Sequence, residues 1–272
     1  NQSAIVRADD GIHMTWPRAY QRTGWWAEPG ETSAEKEDER SKQLRELRMV
    51  FAEAKAYKEW IRSNPTKVDI RKGALLGLFD GSKTLFVNAS VAREIQEAVL
   101  FVKEMGIKKL VIVGGYDAWR VADLLRDNHV DVILRRLHSL PLRDDEDVDL
   151  PYRLPALLQA RGIRFALSYT GDKERIGMRN LPFVAGTAAA YGLAKEEALA
   201  SITLDAARIL GIDSICGSLA TGKQATLFVS TGDALDMRTN NVVHAFIQGR
   251  RISLADHQKA LYRQYSERYG KP

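Results

Sequence analysis

KTLFVNASVAREIQEAVLFVKEMGIKKLVIVGG, residues 83–115, is the stretch that decides the fold. Thr84 to Val87 is a short β-branched and aromatic run, and Leu110 to Gly115 is a second apolar run closed by two glycines. Between them Val91, Ile95, Ala98, Val99 and Val102 recur at helical spacing. Strands apolar on both faces, joined by an amphipathic helix, are the pattern of parallel strands covered by helices. The unit repeats downstream. A helix is expected over 118–128, a strand over 130–134, a helix over 154–161 and a strand over 163–168. Four strands with intervening helices predict an α/β sheet or barrel, its crossovers right-handed and in one layer. Chemistry in such folds gathers where the strands end. Asn88, Gly114, the segment after Leu134, and Tyr169 with Thr170 are therefore the candidate positions.

The totals narrow the function classes. At 272 residues the chain has room for one large α/β domain, or one domain with a small appendage. Hydrophobic content of 45% and charge of 28% are ordinary for a globular protein. The net charge of +5 is spread among acids, with no basic run and no interleaving of basic and aromatic residues, so nucleic acid is not an expected partner. The single cysteine, Cys216, has no intrachain partner for a disulfide. No apolar run reaches the roughly 20 residues of a membrane span, so no membrane partner is expected. The first residue is Asn1, which fits a piece of a longer protein, and both cytoplasm and periplasm stay open.

Along the chain, Asp9-Asp10-Gly11 reads as a hairpin turn. Trp16, Trp25 and Trp26 fall in an irregular segment and are expected to cover the domain's own core. A long helix runs from Ser33 to Asn64, with Leu44, Leu47, Val50, Phe51, Ala54, Tyr57 and Ile61 on its apolar face. Its charged first turns read as a solvated face. Residues 66–82 read as a connector and 139–155 as a solvated acidic loop, which lacks the glycine and ligand spacing of a calcium loop. Helices are expected over 181–191 and 195–210. The last third changes character: runs at 223–230, 242–247 and 250–253 with tight turns predict an antiparallel meander, followed by a helix over 255–269.

That last third also carries a resemblance. A helix spanning Ala200 to Gly211, then Gly217-Ser218-Leu219, Gly222-Lys223 through Ala225-Thr226-Leu227, and a strand ending Phe246 to Gly249 follow one another as in the carboxy-terminal region of the amidohydrolase superfamily. The imidazolonepropionase-like branch is the one it most resembles, and the likeness extends less sharply back to about residue 70. It implies the carboxy-terminal portion of a (β/α)8 TIM-type barrel plus part of a small β-sandwich domain. The expected division is an entry segment and long helix over 1–69, barrel units and packing helices over 70–214, and terminal strands with the last helix over 215–272. The resemblance also implies a divalent metal, zinc by family habit, that activates water and polarises a carbonyl. By the same correspondence the metal histidines of the fifth and sixth barrel strands fall at Asn88 and Gly114. The eighth-strand aspartate falls near Thr170, with Asp172 two residues on. The usual His-x-His pair is absent, so no metal ligand is assigned within this chain.

The site residues follow. Asp172 is the candidate shifted catalytic base, or else a loop acid, and His138 the candidate for substrate contact, or else packing. Asn88 offers its amide to a substrate carbonyl or caps the next helix. Gly114 and Gly115 precede a helix whose backbone amides could take an anion. Tyr169 and Thr170 complete the substrate-binding set. Ser139 and Ser168 lack a visible base. The leading expectation is an amidohydrolase-like enzyme acting on a non-peptide carbon–nitrogen bond of a small molecule, completed by an amino-terminal half or by a copy of itself. The rival is a metal-free degenerate barrel used for binding or assembly.

Overall fold

The computed structural model describes residues 5–19, 33–169 and 174–270. Five strands, β1 (Gly11–Thr15), β2 (Thr84–Ala89), β3 (Leu110–Gly114), β4 (Asp131–Leu134) and β5 (Phe165–Leu167), form one parallel sheet in chain order. This is the arrangement of part of a TIM-type barrel. The expected turn at Asp9-Asp10-Gly11 does not make a hairpin. Asp9 takes a φ of 55°, and β1 runs parallel to β2 with Ile12 opposite Leu85 and Met14 opposite Val87. The residues that would form the other arm, Ile5 and Val6, are exposed and bury nothing, whereas Ile12 and Met14 pack on the core.

The helices take the expected positions with two corrections. Helix α1 (Ser33–Ser63) is as read, but the connector after it contains α2 (Ile70–Asp80). Asp69 caps α2 by accepting from the amides of Arg71 and Lys72, and Gly81 closes it at a φ of 86°. Gly73 and Gly77 masked the periodicity that buries Leu78 and Phe79. Then come α3 (Ala92–Met105), a 3₁₀ turn (Ala118–Val121) leading into α4 (Ala122–Asp127), α5 (Leu150–Ala160) and α6 (Leu181–Ala190). The single helix expected over 195–210 is two, α7 (Lys195–Ser201) and α8 (Leu204–Ile209). They break at Thr203, whose hydroxyl donates to the Leu199 carbonyl at 2.7 Å.

The strands bury both faces, as their sequence demands. Leu85, Val87, Leu110, Ile112, Val132 and Leu134 point to the helices and pack in the main core. Phe86, Val111, Val113 and Ala166 point the other way and meet Ile209 of α8. The face of α1 is narrower than read, because Val50 is exposed while Phe51 and Ala54 are buried. Its charged start is not wholly solvated either. Arg40 is 5% exposed, donates to the Pro17 carbonyl and pairs with Glu97 of α3. Trp16 is buried as expected, its indole N–H on Glu97 at 3.0 Å, whereas Trp25 and Trp26 lie outside the described residues.

The meander is present as β6 (Leu227–Ser230), β7 (Val242–Ile247) and β8 (Arg250–Arg251), all antiparallel, followed by α9 (His257–Tyr269). Its approach to the barrel side runs through Gly186 of α6. A Cβ there would stand 2.1 Å from the Leu235 carbonyl oxygen.

Candidate active site at the strand ends

The parallel strands end in three groupings. The first lies across β2, β3 and β4. Asn88 Nδ2 donates to the Met14 carbonyl at 3.1 Å, and Arg135 Nη2 donates to Asn88 Oδ1 at 2.8 Å. The Asn88 amide is therefore oriented from both sides. It does not cap α3, whose N-cap position is Val91 and whose first amides are held by Glu94 and Asp117. Arg135 reaches across β3 to Asn88, on the face that carries Val113 and Ile133. Gly114 has a φ of 115°, and a Cβ would meet the Ala89 carbonyl oxygen and Ser90 Oγ at 2.8 Å. The backbone-amide anion site expected after Gly114 is not formed. The Gly115 and Asp117 amides already donate to the carbonyls of Ala89 and Ser90, which tie β3 to β2.

The second grouping is a cleft of about 590 Å³ beside the ends of β4 and β5, lined by His138, Tyr169, Asn180, Thr187, Lys195 and Asp233 among others. His138 Nε2 lies 2.8 Å from Thr187 Oγ1, and that hydroxyl donates its one proton to the Phe183 carbonyl at 3.0 Å. With the Thr187 proton on the Phe183 carbonyl, His138 Nε2 is the donor of its pair and Nδ1 is the nitrogen left toward the cleft. Tyr169 is half-buried and its ring closes on Gly177, where a Cβ would stand 2.4 Å away. Lys195 and Asp233 pair across the rim at 2.7 Å, which lowers the Asp233 carboxyl below its ordinary range. A larger groove of about 750 Å³ lies in the outer helical layer around Tyr57, Trp60 and Asp69. No strand contributes to its lining, so the cleft at the strand ends is the better chemical candidate.

The third grouping corrects the solvated reading of the acidic loop. Arg143 grips Asp117 with two hydrogen bonds of 3.0 and 2.6 Å and also pairs with Glu146 at 2.6 Å. Tyr116 donates to Glu146 at 2.7 Å. The side chains of Asp117 and Glu146 are 1% and 5% exposed. Burial pushes the Glu146 carboxyl up, but hydrogen bonds from Tyr116 and Arg143 outweigh it and hold the group below its ordinary range. Burial, with Glu146 beside it, raises the Tyr116 phenol to about 12. The loop that follows His138 is thus latched to the end of β3.

Of the expected site residues, His138 and Tyr169 share the cleft, and Asn88 and Gly114 share the end of the sheet. Thr170 and Asp172 lie outside the described residues. Ser168 Oγ donates to the Leu134 carbonyl, so it serves the sheet. Arg135 was missed. Its signal was its place two residues beyond Ile133, on the same face of β4 as the cluster around Phe86. The implied metal does not fit the residues present. Among the described residues no three His, Cys, Asp or Glu side chains come together, and the Asn88 oxygen faces a guanidinium.

Comparison with known proteins agrees with this geometry. The model of the amidohydrolase family matches residues 151–252. An amidohydrolase from Thermotoga maritima MSB8 superposes with a TM-score of 0.75 at 24% identity, over 93% of this chain and 64% of its own. A Xaa-Pro dipeptidase with methionine bound in its active site superposes with a TM-score of 0.50 at 17% identity, over 66% of this chain and 47% of its own. The chain thus spans 64% of the length of the Thermotoga protein. A search of curated protein sequences finds no match. Residues 151–252 thus match the amidohydrolase family, and the five parallel strands in barrel order give the chain the fold of part of such a barrel.

Proposed function

We propose that this chain is one side of a barrel hydrolase that breaks a carbon–nitrogen bond other than a peptide bond, a cyclic amide or a related small molecule. The observation that carries the reading is the cleft at the strand ends, which His138, held on Thr187, shares with Tyr169 in a chain whose residues 151–252 match the amidohydrolase family. Hydrolysis needs a base for the attacking water and an acid for the leaving nitrogen. His138 Nδ1 is the atom that takes up and returns a proton, because Nε2 is committed to Thr187. Asp172 is proposed as the base that draws the proton from the attacking water and hands it to His138 Nδ1, which delivers it to the leaving nitrogen, with Asn88, Gly114, Tyr169 and Thr170 as the substrate frame.

The described residues supply no metal set, so no step here passes through a metal. Ligands for one are proposed to come from an amino-terminal half of the same protein or from a second copy. Two features support a partner of that kind: β1 and β5 each pair with one strand among the described residues, and a sheet edge is a template for pairing. Within the superfamily the imidazolonepropionase-like branch is the proposed affiliation, on the sequence pattern of the last third.

The test is turnover of five- and six-membered cyclic amides by the purified chain with any partner that copurifies. His138→Asn is expected to lower kcat at least about a hundredfold, the usual size of a lost proton-transfer group. Equal turnover by the parent and His138→Asn would overturn the role of His138, and no cyclic-amide turnover by the complex would overturn the substrate class.

A further inference from the structure

We infer that the end of the sheet is an oxyanion site, with Arg135 as its charge and Asn88 as its support, taking a carboxylate group of a small molecule. The inference rests on reading the strand ends as the substrate site. Where the resemblance places two cation ligands, this chain has a neutral amide, Asn88, and a glycine, Gly114, with the Arg135 guanidinium on the Asn88 oxygen. Those substitutions reverse the electrostatics of the place. A guanidinium 2.8 Å from the Asn88 oxygen repels a divalent cation and attracts an anion.

The arrangement is positioned on both sides. The Met14 carbonyl of β1 takes the Asn88 amide N–H, so Asn88 presents its oxygen, not its nitrogen, to Arg135. That partner is uncharged. An arginine held by an amide leaves the pair with a net positive charge, whereas one held by a carboxylate forms a neutral pair. Among the described residues no carboxylate forms an ion pair with Arg135, and the bond to Asn88 uses one of its five N–H donors. Arg135 is exposed, so its remaining donors can meet a ligand from solvent. The planar fork of a guanidinium matches a carboxylate, which is the reason for preferring that group over a rounder anion. Ile133, partly buried and on the same face of β4, is the apolar neighbour for the hydrocarbon body such a carboxylate would carry.

The test is a binding titration of the full 272-residue chain with benzoate as probe, followed by calorimetry at low salt, with inorganic phosphate as a second probe. Benzoate is expected to bind the parent, and Arg135→Gln to weaken it at least tenfold. Asn88→Asp is the sharper variant, because it keeps the shape and puts a carboxylate on the guanidinium; it should weaken benzoate by a similar factor. Arg250→Gln, on the second sheet, should leave binding within twofold. Thermal unfolding of each variant checks that it folds. Phosphate bound more tightly than benzoate would overturn the carboxylate assignment. Absence of benzoate binding to the parent, or binding unchanged in a folded Arg135→Gln or Asn88→Asp, would overturn the site. Because binding is read without turnover, these failures are separate from failure of the hydrolase reading.

Discussion

At the scale of single residues, Gly114 shows how strictly this sheet end is specified. Its φ of 115° is open to glycine and strained for any other residue, and the space a Cβ would need is filled by the Ala89 carbonyl oxygen at 2.8 Å. Gly114→Ala is expected to cost about 1–3 kcal/mol, read as a lower urea midpoint at unchanged slope. Sequence alone placed His138, Asn88 and Gly114 near the ends of strands, because those strands are predictable. It did not find Arg135, because a surface arginine after a strand looks like any other until the register of β4 shows which face it takes. Nor could it show that both sides of the Asn88 amide are already engaged, since Met14 lies 74 residues away.

At the scale of elements, the latch between the acidic loop and β3 ties down the chain that follows His138. Asp117 accepts from Arg143, pairs with Arg120 at 3.2 Å and accepts from the Ala92 amide at the start of α3. One buried carboxylate therefore joins three elements. Asp117→Asn removes the charge but leaves Arg143 in place. It is expected to destabilise the fold by about 3–5 kcal/mol, the usual result of breaking a buried pair from one side. Denaturant unfolding measures this. The latch also sets a pH response. The folded-state value of Glu146 lies below its ordinary 4.5, so its contribution is complete above that pH and is lost as pH falls below it. Tyr116 has a raised value, so its contribution is complete below pH 10.0 and is lost as pH rises toward about 12. Unfolding midpoints followed across pH should decline on both sides, and Tyr116→Phe should remove the alkaline decline. Composition named this loop acidic and solvated. The burial of Glu146 depends on Arg143 and Tyr116 meeting it in space, which no local pattern encodes. Helix α2 was missed for a different reason, since its two glycines imitate a connector while Asp69 and the burial of Leu78 and Phe79 outweigh them.

At the scale of the whole molecule, the βαβ units were legible because a parallel sheet buries both faces and writes that requirement as continuous apolar runs. The meander was legible for the opposite reason, its strands being short and separated by turn residues. What joins the two sheets was not legible. The α6 helix approaches the 231–241 loop at Gly186, where a Cβ would meet the Leu235 backbone at 2.1 Å. Gly186→Ala should force these pieces apart, at about 1–3 kcal/mol for an overpacked contact, and widen the cleft that carries His138. The readout is a lower thermal midpoint together with faster amide exchange in the 231–241 loop.

The central claim is that the strand ends of this chain present a cation-repelling arginine, held by the Asn88 amide, and not a metal site. The measurement that tests it most directly is elemental analysis of the purified full chain after incubation with zinc and removal of the unbound metal. The account predicts far less than one zinc per chain, and no change in that value for Arg135→Gln. One tightly held zinc per chain, lost on substituting Asn88, would contradict it.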